Sequence, residues 1–196
     1  MEYGAKCLRW APFAATNPEP ENALPNYGTP MTLGELVKVS DNPSFVEGKA
    51  AGDNNATARY IKKFQQCTVD AEVLEFSNEV AAAIFGSTLD TTENKKNLHF
   101  NDADNPPYGG LAFYTTNLMS GNVVKFQGVY YPKLKASMQG KEYSTTGDSI
   151  TLTSGKTQFL AMRCNNGDWK VQSEFFSTEA EAIAWVNEMV KAASST

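Results

Sequence analysis

A period of two between hydrophobic and polar positions dominates much of the chain. In residues 64–76, Cys67, Val69, Ala71 and Val73 fall on one face, and polar residues fall on the other. This alternation is typical of an antiparallel strand with one buried and one solvated face.

Shorter alternating runs predict further strands, with turn signals between them. The predicted strands cover residues 1–12, 33–40, 64–76, 111–117, 123–138, 150–153, 159–164 and 169–172. Asn166-Gly167 lies between the last two, and Asn-Gly is the dipeptide most typical of a hairpin turn. A sparse hairpin pattern also runs through the polar residues 87–108.

The strand predicted over residues 123–138 is long and interrupted. One face would carry its larger apolar residues, which are Val124, Phe126, Tyr130, Leu134 and Ala136. Gly128 and Pro132 stand within the run, and these residues favour a bulge or bend and an unpaired edge.

Helical signals occur twice. Ser77 precedes the predicted helix Asn78–Phe85, and Gly86 follows it as a stop signal. A second helix is predicted over residues 178–193, where Thr178-Glu-Ala-Glu forms a capping box. Its apolar stripe leaves Trp185 and Met189 on a neighbouring face, where we expect exposed apolar surface.

Two segments lack this regularity. Residues 1–32 are expected to form an extended N-terminal arm, because Pro18, Pro20, Pro25 and Pro30 fix the backbone and remove donors. Residues 41–62 are rich in Ala, Gly and Asn, and we expect a projecting hairpin or a flexible loop there.

These elements predict one domain over residues 1–196. Its fold class is mainly β, with two packed antiparallel sheets in a sandwich or barrel, a short flanking helix and a C-terminal helix. The 196 residues are 41 % hydrophobic and 11 % aromatic, which is enough for a substantial core.

Charge and cysteine usage restrict the class of protein. The formal net charge is −5, which disfavours tight binding to nucleic-acid phosphates without forbidding DNA nearby. The first residues lack the pattern of a signal peptide, and no apolar run is long enough to span a membrane. Cys7, Cys67 and Cys164 are expected to be reduced and mostly buried, as in a protein folded in cytosol.

Candidate chemistry is sparse. The only histidine, His99, lies near Asp102 and Asp104, which could form an acid–base pair or bind a cation. A solvated loop with turn-stabilising carboxylates is the favoured alternative. Zinc spacing, a P-loop and a dinucleotide fingerprint are absent from the sequence, so we expect no enzyme activity, no metal and no cofactor.

The order of several short motifs resembles that of a known family. The motifs are Tyr3-Gly4-Ala5-Lys6, Trp10-Ala11, Tyr27-Gly28-Thr29-Pro30, the strand–helix unit 70–86, Val129-Tyr130-Tyr131, Thr146-Gly147-Asp148-Ser149 and Asn166-Gly167-Asp168-Trp169-Lys170. Across residues 2–172 this order is similar to that of the major tail tube proteins of long-tailed, non-contractile phages of Gram-positive hosts.

The resemblance implies a structural subunit of the virion tail, assembled in the host cytoplasm. It implies hexameric rings stacked into a tube that conducts DNA without binding it specifically. The implied partners are further copies of the chain, the tape measure protein, the tail terminator and the tip or baseplate proteins. It also implies that the long segment 41–62 reaches a neighbouring subunit or ring.

Two sets of residues become candidates under this hypothesis. Phe45, Val46, Arg59 and Tyr60 are candidate contacts between subunits, because they stand out in the long segment. Asp70 and Glu72 form a candidate acidic face lining the lumen, where they would repel DNA phosphates over about 8 Å in physiological salt.

Two alternatives of other classes remain open. One is a monomeric β-sandwich that binds carbohydrate or protein, although such modules usually work outside cells and carry a signal peptide. The other is a cytosolic enzyme that uses the segment from His99 to Asp104.

Overall fold

The chain forms a β-rich domain, here in a computed structural model that describes residues 1–53, 55–92, 95–141 and 154–191. Within these residues the elements are β1 (Glu2–Pro12), β2 (Met31–Thr32), β3 (Leu36–Gly52), β4 (Asn55–Val73), α1 (Asn78–Phe85), β5 (Thr88–Asp90), β6 (Asn97–His99), β7 (Tyr108–Leu118), β8 (Val124–Met138), β9 (Gly155–Ala161), β10 (Val171–Phe176) and α2 (Glu179–Met189).

One large antiparallel sheet organises the domain. Its strands follow the order β2-β1-β7-β8-β9-β4-β3, and β10 pairs with β8 beside this path. Strands β5 and β6 form a small second sheet. The predicted fold class is therefore confirmed: the domain is mainly β and antiparallel, with a short helix and a C-terminal helix.

The large sheet curls until its two ends approach each other. Strand β1, which lies next to the β2 end of the sheet, contacts β3 at the other end. The enclosed face forms the first core, built from buried residues of β1, β4, β7, β8 and β9. Ile84 and Phe85 of α1 pack into this core, so α1 covers one of its open sides.

A second core lies on the opposite face of β7 and β8. Tyr114 and Tyr130 pack there against Ala182, Val186 and Val190 from the C-terminal helix and the residue after it.

The prediction of exposed apolar surface on the C-terminal helix is wrong. Trp185 and Met189 are half-buried against the second core. Trp185 lies over Gly128 of β8, where the absence of a side chain leaves room for the indole ring.

The assignment of one apolar face to β8 is also wrong. Leu111 pairs with Tyr131 but Gly109 pairs with Leu134, so β8 has one extra residue in a bulge at Pro132 and Lys133. Before the bulge the odd positions face the first core, and after it the even positions do. Phe126 and Tyr130 therefore pack in the second core, while Leu134 and Ala136 pack in the first. The bulge itself was predicted from Gly128 and Pro132.

The Asn-Gly signal does not produce the predicted hairpin. Strands β9 and β10 both pair with β8, one after the other along the same edge. The segment between them makes a local turn in which the N–H of Cys164 donates to the carbonyl of Asp168 at 2.9 Å. Gly167 has φ of +99°, a backbone conformation that favours glycine, so the local turn requires this residue although no hairpin forms.

The N-terminal residues 1–32 lie on the body of the domain. Residues 2–12 form β1, which pairs with β7 along most of its length. The following segment is fixed by Tyr27, whose hydroxyl donates to the carbonyl of Pro132 at 2.6 Å. An ion pair between Glu19 and Lys133, at 2.5 Å and only 18 % exposed on either side, holds it further.

The helix predictions are confirmed at their starts. The Ser77 hydroxyl accepts from the N–H of Val80 at 3.3 Å, and Gly86 ends α1 with φ of +68°. Thr178 and Glu181 form the capping box of α2, which ends at Met189, and residues 192–193 lie outside the described residues. So does the predicted strand 150–153. Within the described ranges, no helix is long and apolar enough to cross a membrane.

The packing of Trp185 on Gly128 leads to a first prediction. A Cβ at position 128 would overlap the indole ring, so Gly128→Ala should lower the free energy of unfolding by about 1–3 kcal/mol. Gly140→Ala is the matched control, because no atom lies within 4 Å of its added Cβ. Urea denaturation would measure both changes, and equal stabilities would contradict this packing.

Candidate functional site: the projecting hairpin

Strands β3 and β4 form a long hairpin, of which only the lower half belongs to the body. β4 pairs with β9 from Val73 to Cys67, and its residues 67–73 contribute to the first core. Beyond Cys67, β3 and β4 pair with each other and with no other described strand, up to Gly52 opposite Asn55. At about 3.3 Å per residue this half reaches roughly 30 Å beyond the body. Of the two forms expected for residues 41–62, the structure shows the hairpin.

A bulge decides which way the side chains of the projecting half point. Ser44 pairs with Gln66 but Phe45 pairs with Phe64, so Gln65 is the extra residue in β4. As a result Phe45 and Phe64 continue the core-facing side of the hairpin outward.

The projecting half has two different faces, set by its cross-strand pairs. The aromatic face consists of Phe45, Glu47, Lys49, Tyr60, Lys62 and Phe64. The open face consists of Val46, Gly48, Ala50, Arg59, Ile61 and Lys63.

Charged side chains on the aromatic face find their interaction partners within the hairpin. Lys62 lies over the Phe45 ring at 4.4 Å from its centroid and pairs with Glu47 at 3.6 Å. Lys49 lies over the ring of Tyr60 at 5.8 Å. A hydrogen bond with Glu47 raises the pKa of the exposed Tyr60 phenol. These exposed contacts add little stability each, but they leave few free groups on this face.

The open face leaves its apolar and basic groups without partners in the described chain. Val46 is 55 % exposed and Ile61 is 61 % exposed. Gly48 lies opposite Ile61, and with no side chain at this position Ile61 stays uncovered. Arg59 and Lys63 form no ion pair with a described carboxylate. This is the surface composition expected of an interface.

The sequence candidates are divided between the two faces. Phe45 and Tyr60 lie on the aromatic face, and Val46 and Arg59 lie on the open face. Sequence reasoning missed Ile61 and Lys63. In a strand, successive side chains point to opposite faces, so recognition of this segment as a strand would have placed Ile61 and Lys63 on the face opposite Tyr60 and Lys62.

Two contacts fix the hairpin where it leaves the body. Trp169, just before β10, stacks on Phe64 with ring centroids 4.4 Å apart and planes 11° apart. Below it, the Asp41 carboxylate accepts from the Tyr131 hydroxyl at 2.7 Å and from Lys170 Nζ at 2.6 Å. A lone two-stranded hairpin is marginally stable, so these contacts hold the direction in which the projecting half points.

The Asp41 contacts also shift proton affinities. Partial burial favours the neutral acid, but hydrogen bonds from Lys170 and Tyr131 outweigh it and hold the pKa of Asp41 below its usual value. Burial and the neighbouring Asp41 carboxylate raise the pKa of Tyr131 well above that of a free phenol. Asp41 is thus a carboxylate and Tyr131 a neutral donor across the physiological range.

The candidate lumen residues Asp70 and Glu72 lie on the outer face of β4. Gln158 donates to Asp70 at 2.8 Å, and Ser154 donates to Glu72. Glu72 pairs across the strands with Lys38 on one side and Lys156 on the other. The face is therefore mixed in charge, whereas the sequence suggested an acidic strip.

The segment from His99 to Asp104 has the features of a turn. The Asp104 carboxylate accepts from the Ser87 hydroxyl at 2.7 Å and from the Asn101 N–H at 3.0 Å, and these bonds lower its pKa. His99 is exposed at the end of β6. In the described part of the chain, no group of three or more His, Cys, Asp or Glu is placed to hold a metal ion.

The cysteines Cys67 and Cys164 are buried and Cys7 is half-buried, all with free thiols. Burial raises the pKa of both Cys67 and Cys164, so these thiols stay protonated and are poor nucleophiles.

Neither a model of a known protein family nor a curated protein matches the chain.

Asp41 yields a second prediction. Because its folded pKa is lower than its unfolded pKa of about 3.9, its stabilising effect is complete above about pH 5, and it is lost as the pH falls through the unfolded and then the folded value. Asp41→Asn should therefore lower the free energy of unfolding by about 1–2 kcal/mol at pH 7 and by less below pH 4. Denaturation across pH 2–7 would measure this, with Asp70→Asn as an exposed control. A constant difference over that range would contradict the assignment.

Proposed function

We propose that this chain is a structural subunit that assembles with copies of itself into hexameric rings stacked as a phage-type tail tube, the conduit through which DNA is delivered. The observation that carries the proposal is the projecting half of the β3–β4 hairpin. It extends roughly 30 Å from the body with exposed Val46 and Ile61 and with no partner among the described residues. The order of sequence motifs supports the same assignment.

Free sheet edges supply the second kind of contact that a ring requires. Among the described strands, β3 ends the path of the large sheet and β10 has β8 as its single partner. Unpaired edges recruit strands of other chains, so neighbouring subunits would join their sheets around the ring. Lys38, Pro43 and Lys49 in β3 restrict indiscriminate pairing along its edge.

The proposed partners and location follow from this role. The subunit assembles in the host cytoplasm, contacts the tape measure, tail terminator and tip or baseplate proteins, and ends in the tail of the virion. DNA passes without specific binding, in keeping with the net charge of −5. The role requires no catalysis and no cofactor.

Negative-stain electron microscopy of the concentrated protein tests the proposal. Rings or hollow tubes of uniform diameter are expected. Small featureless particles at every concentration, together with binding on a glycan or protein array, would instead favour a monomeric β-sandwich binding module.

A shortened hairpin gives a third prediction. Replacement of residues 46–63 by Asn-Gly closes the hairpin across the Phe45–Phe64 pair and removes the part of the projecting half that lies beyond this pair. We expect a folded subunit with an unfolding temperature within a few degrees of the parent, because no core residue is lost. Electron microscopy should show no long tubes from this variant. Normal tubes would contradict a role for the hairpin in assembly.

A further inference from the structure

The hairpin base carries a cleft at the end opposite its tip. The cleft has a volume of about 560 Å³ and lies between residues 32–35, residues 74–75 and the start of α1. Glu35, Leu74, Glu75 and Val80 line it, and we call it the base cleft.

A close crossing of two segments forms the base cleft. The N–H of Leu74 donates to the carbonyl of Glu35 at 2.9 Å. Gly34 has φ of +136°, and a Cβ there would come within 2.5 Å of the carbonyl oxygen of Glu75. Glycine is therefore required at this crossing, and the walls of the cleft are held by backbone.

The surface of the base cleft is apolar and acidic. Leu74 is 56 % exposed although it is a large aliphatic residue. Glu35 and Glu75 are exposed and form no ion pair with a described residue, and no basic side chain lines the cleft. An apolar centre flanked by two free carboxylates suits a partner with apolar and basic side chains.

The open face of the hairpin has that composition. Val46 and Ile61 are exposed, and no described carboxylate pairs with Arg59 or Lys63. The charged residues of the projecting half as a whole are Glu47, Lys49, Asp53, Arg59, Lys62 and Lys63. This half is thus net positive in a chain whose net charge is −5.

The two surfaces lie on separate parts of the β3–β4 hairpin. The base cleft adjoins the first cross-strand pair, Leu36 with Val73, and the open face runs outward from the Val46–Lys63 pair to the Ala50–Arg59 pair. A contact from the open face of one copy to the base cleft of the next joins two different surfaces, so it can repeat from copy to copy, and it gives an open stack where the repeat does not close into a ring.

We propose that the base cleft receives the open face of the hairpin from a second copy of this chain. Val46 and Ile61 cover Leu74, and Arg59 and Lys63 pair with Glu35 and Glu75. This inference rests on the proposed self-assembly, and it identifies the surface that accepts the hairpin.

Charge reversal on each surface tests the docking. A base-cleft variant, Glu35→Lys with Glu75→Lys, makes both surfaces basic. An open-face variant, Arg59→Glu with Lys63→Glu, makes both surfaces acidic. Each alone should self-associate at least about tenfold more weakly than the parent by sedimentation velocity, because like charges meet. An equimolar mixture should recover association, since every contact then joins opposite charges. Glu21→Lys with Asp102→Lys, outside both surfaces, is the control and should behave as the parent.

The outcomes separate the docking from the proposed function. If the parent and both variants associate equally, the chain self-assembles through other surfaces and this docking is wrong. If the parent stays monomeric at the highest concentration reached, docking and self-assembly both fail. If each variant loses self-association and the mixture does not recover it, the proposed pairing of the open face with the base cleft is also wrong. Circular dichroism and thermal unfolding would verify that the variants fold.

Discussion

Two hydrophobic cores lie on opposite faces of one sheet, and β8 supplies side chains to both. The adjacent residues Tyr130 and Tyr131 are both buried, the first beneath α2 and the second in the enclosed core. The bulge at Pro132 lets the strand change faces without leaving the sheet. It also divides one edge of β8 between β10 and β9. The positions of α2, of the curled sheet and of the hairpin all depend on this strand.

The hairpin projects because the sheet stops supporting it partway along. β9 ends at Ala161, opposite Cys67, so β3 is the one described strand that pairs with β4 farther out. The two strands still bond each other through their facing backbone groups, but their outer backbone edges are unpaired and their side chains no longer pack on the body. The Phe64–Trp169 stack and the Asp41–Lys170 pair lie at this point of departure. They make the projecting half a directed arm, which an unsupported hairpin would not be.

Opposite charges lie on two separate parts of the β3–β4 hairpin, the open face of its projecting half and the base cleft in the body. The open face carries Arg59 and Lys63 beside bare aliphatic side chains, and the base cleft carries Glu35 and Glu75 beside Leu74. No described part of the subunit covers the apolar side chains of either surface. A partner that docked on them would remove this apolar area from water. A mainly β subunit with free edges and complementary surfaces is suited to assembly, which is why we favour a structural role over a catalytic one.

Local sequence determined the elements whose signals are themselves local. The caps at Ser77, Gly86 and Thr178 located the helices, and the alternation at Cys67–Val73 identified a half-buried strand, because capping and a period of two depend on neighbouring residues only. Tertiary structure alone decided the rest. The bulge in β8 places Tyr130 and Leu134 in different cores. Strands β9 and β10 both pair with β8, although Asn166-Gly167 predicted a hairpin between them. Strand pairing places Lys38 and Lys156 beside Glu72. Each of these depends on partners distant in sequence, and a shift of one residue in register reverses the face of every side chain.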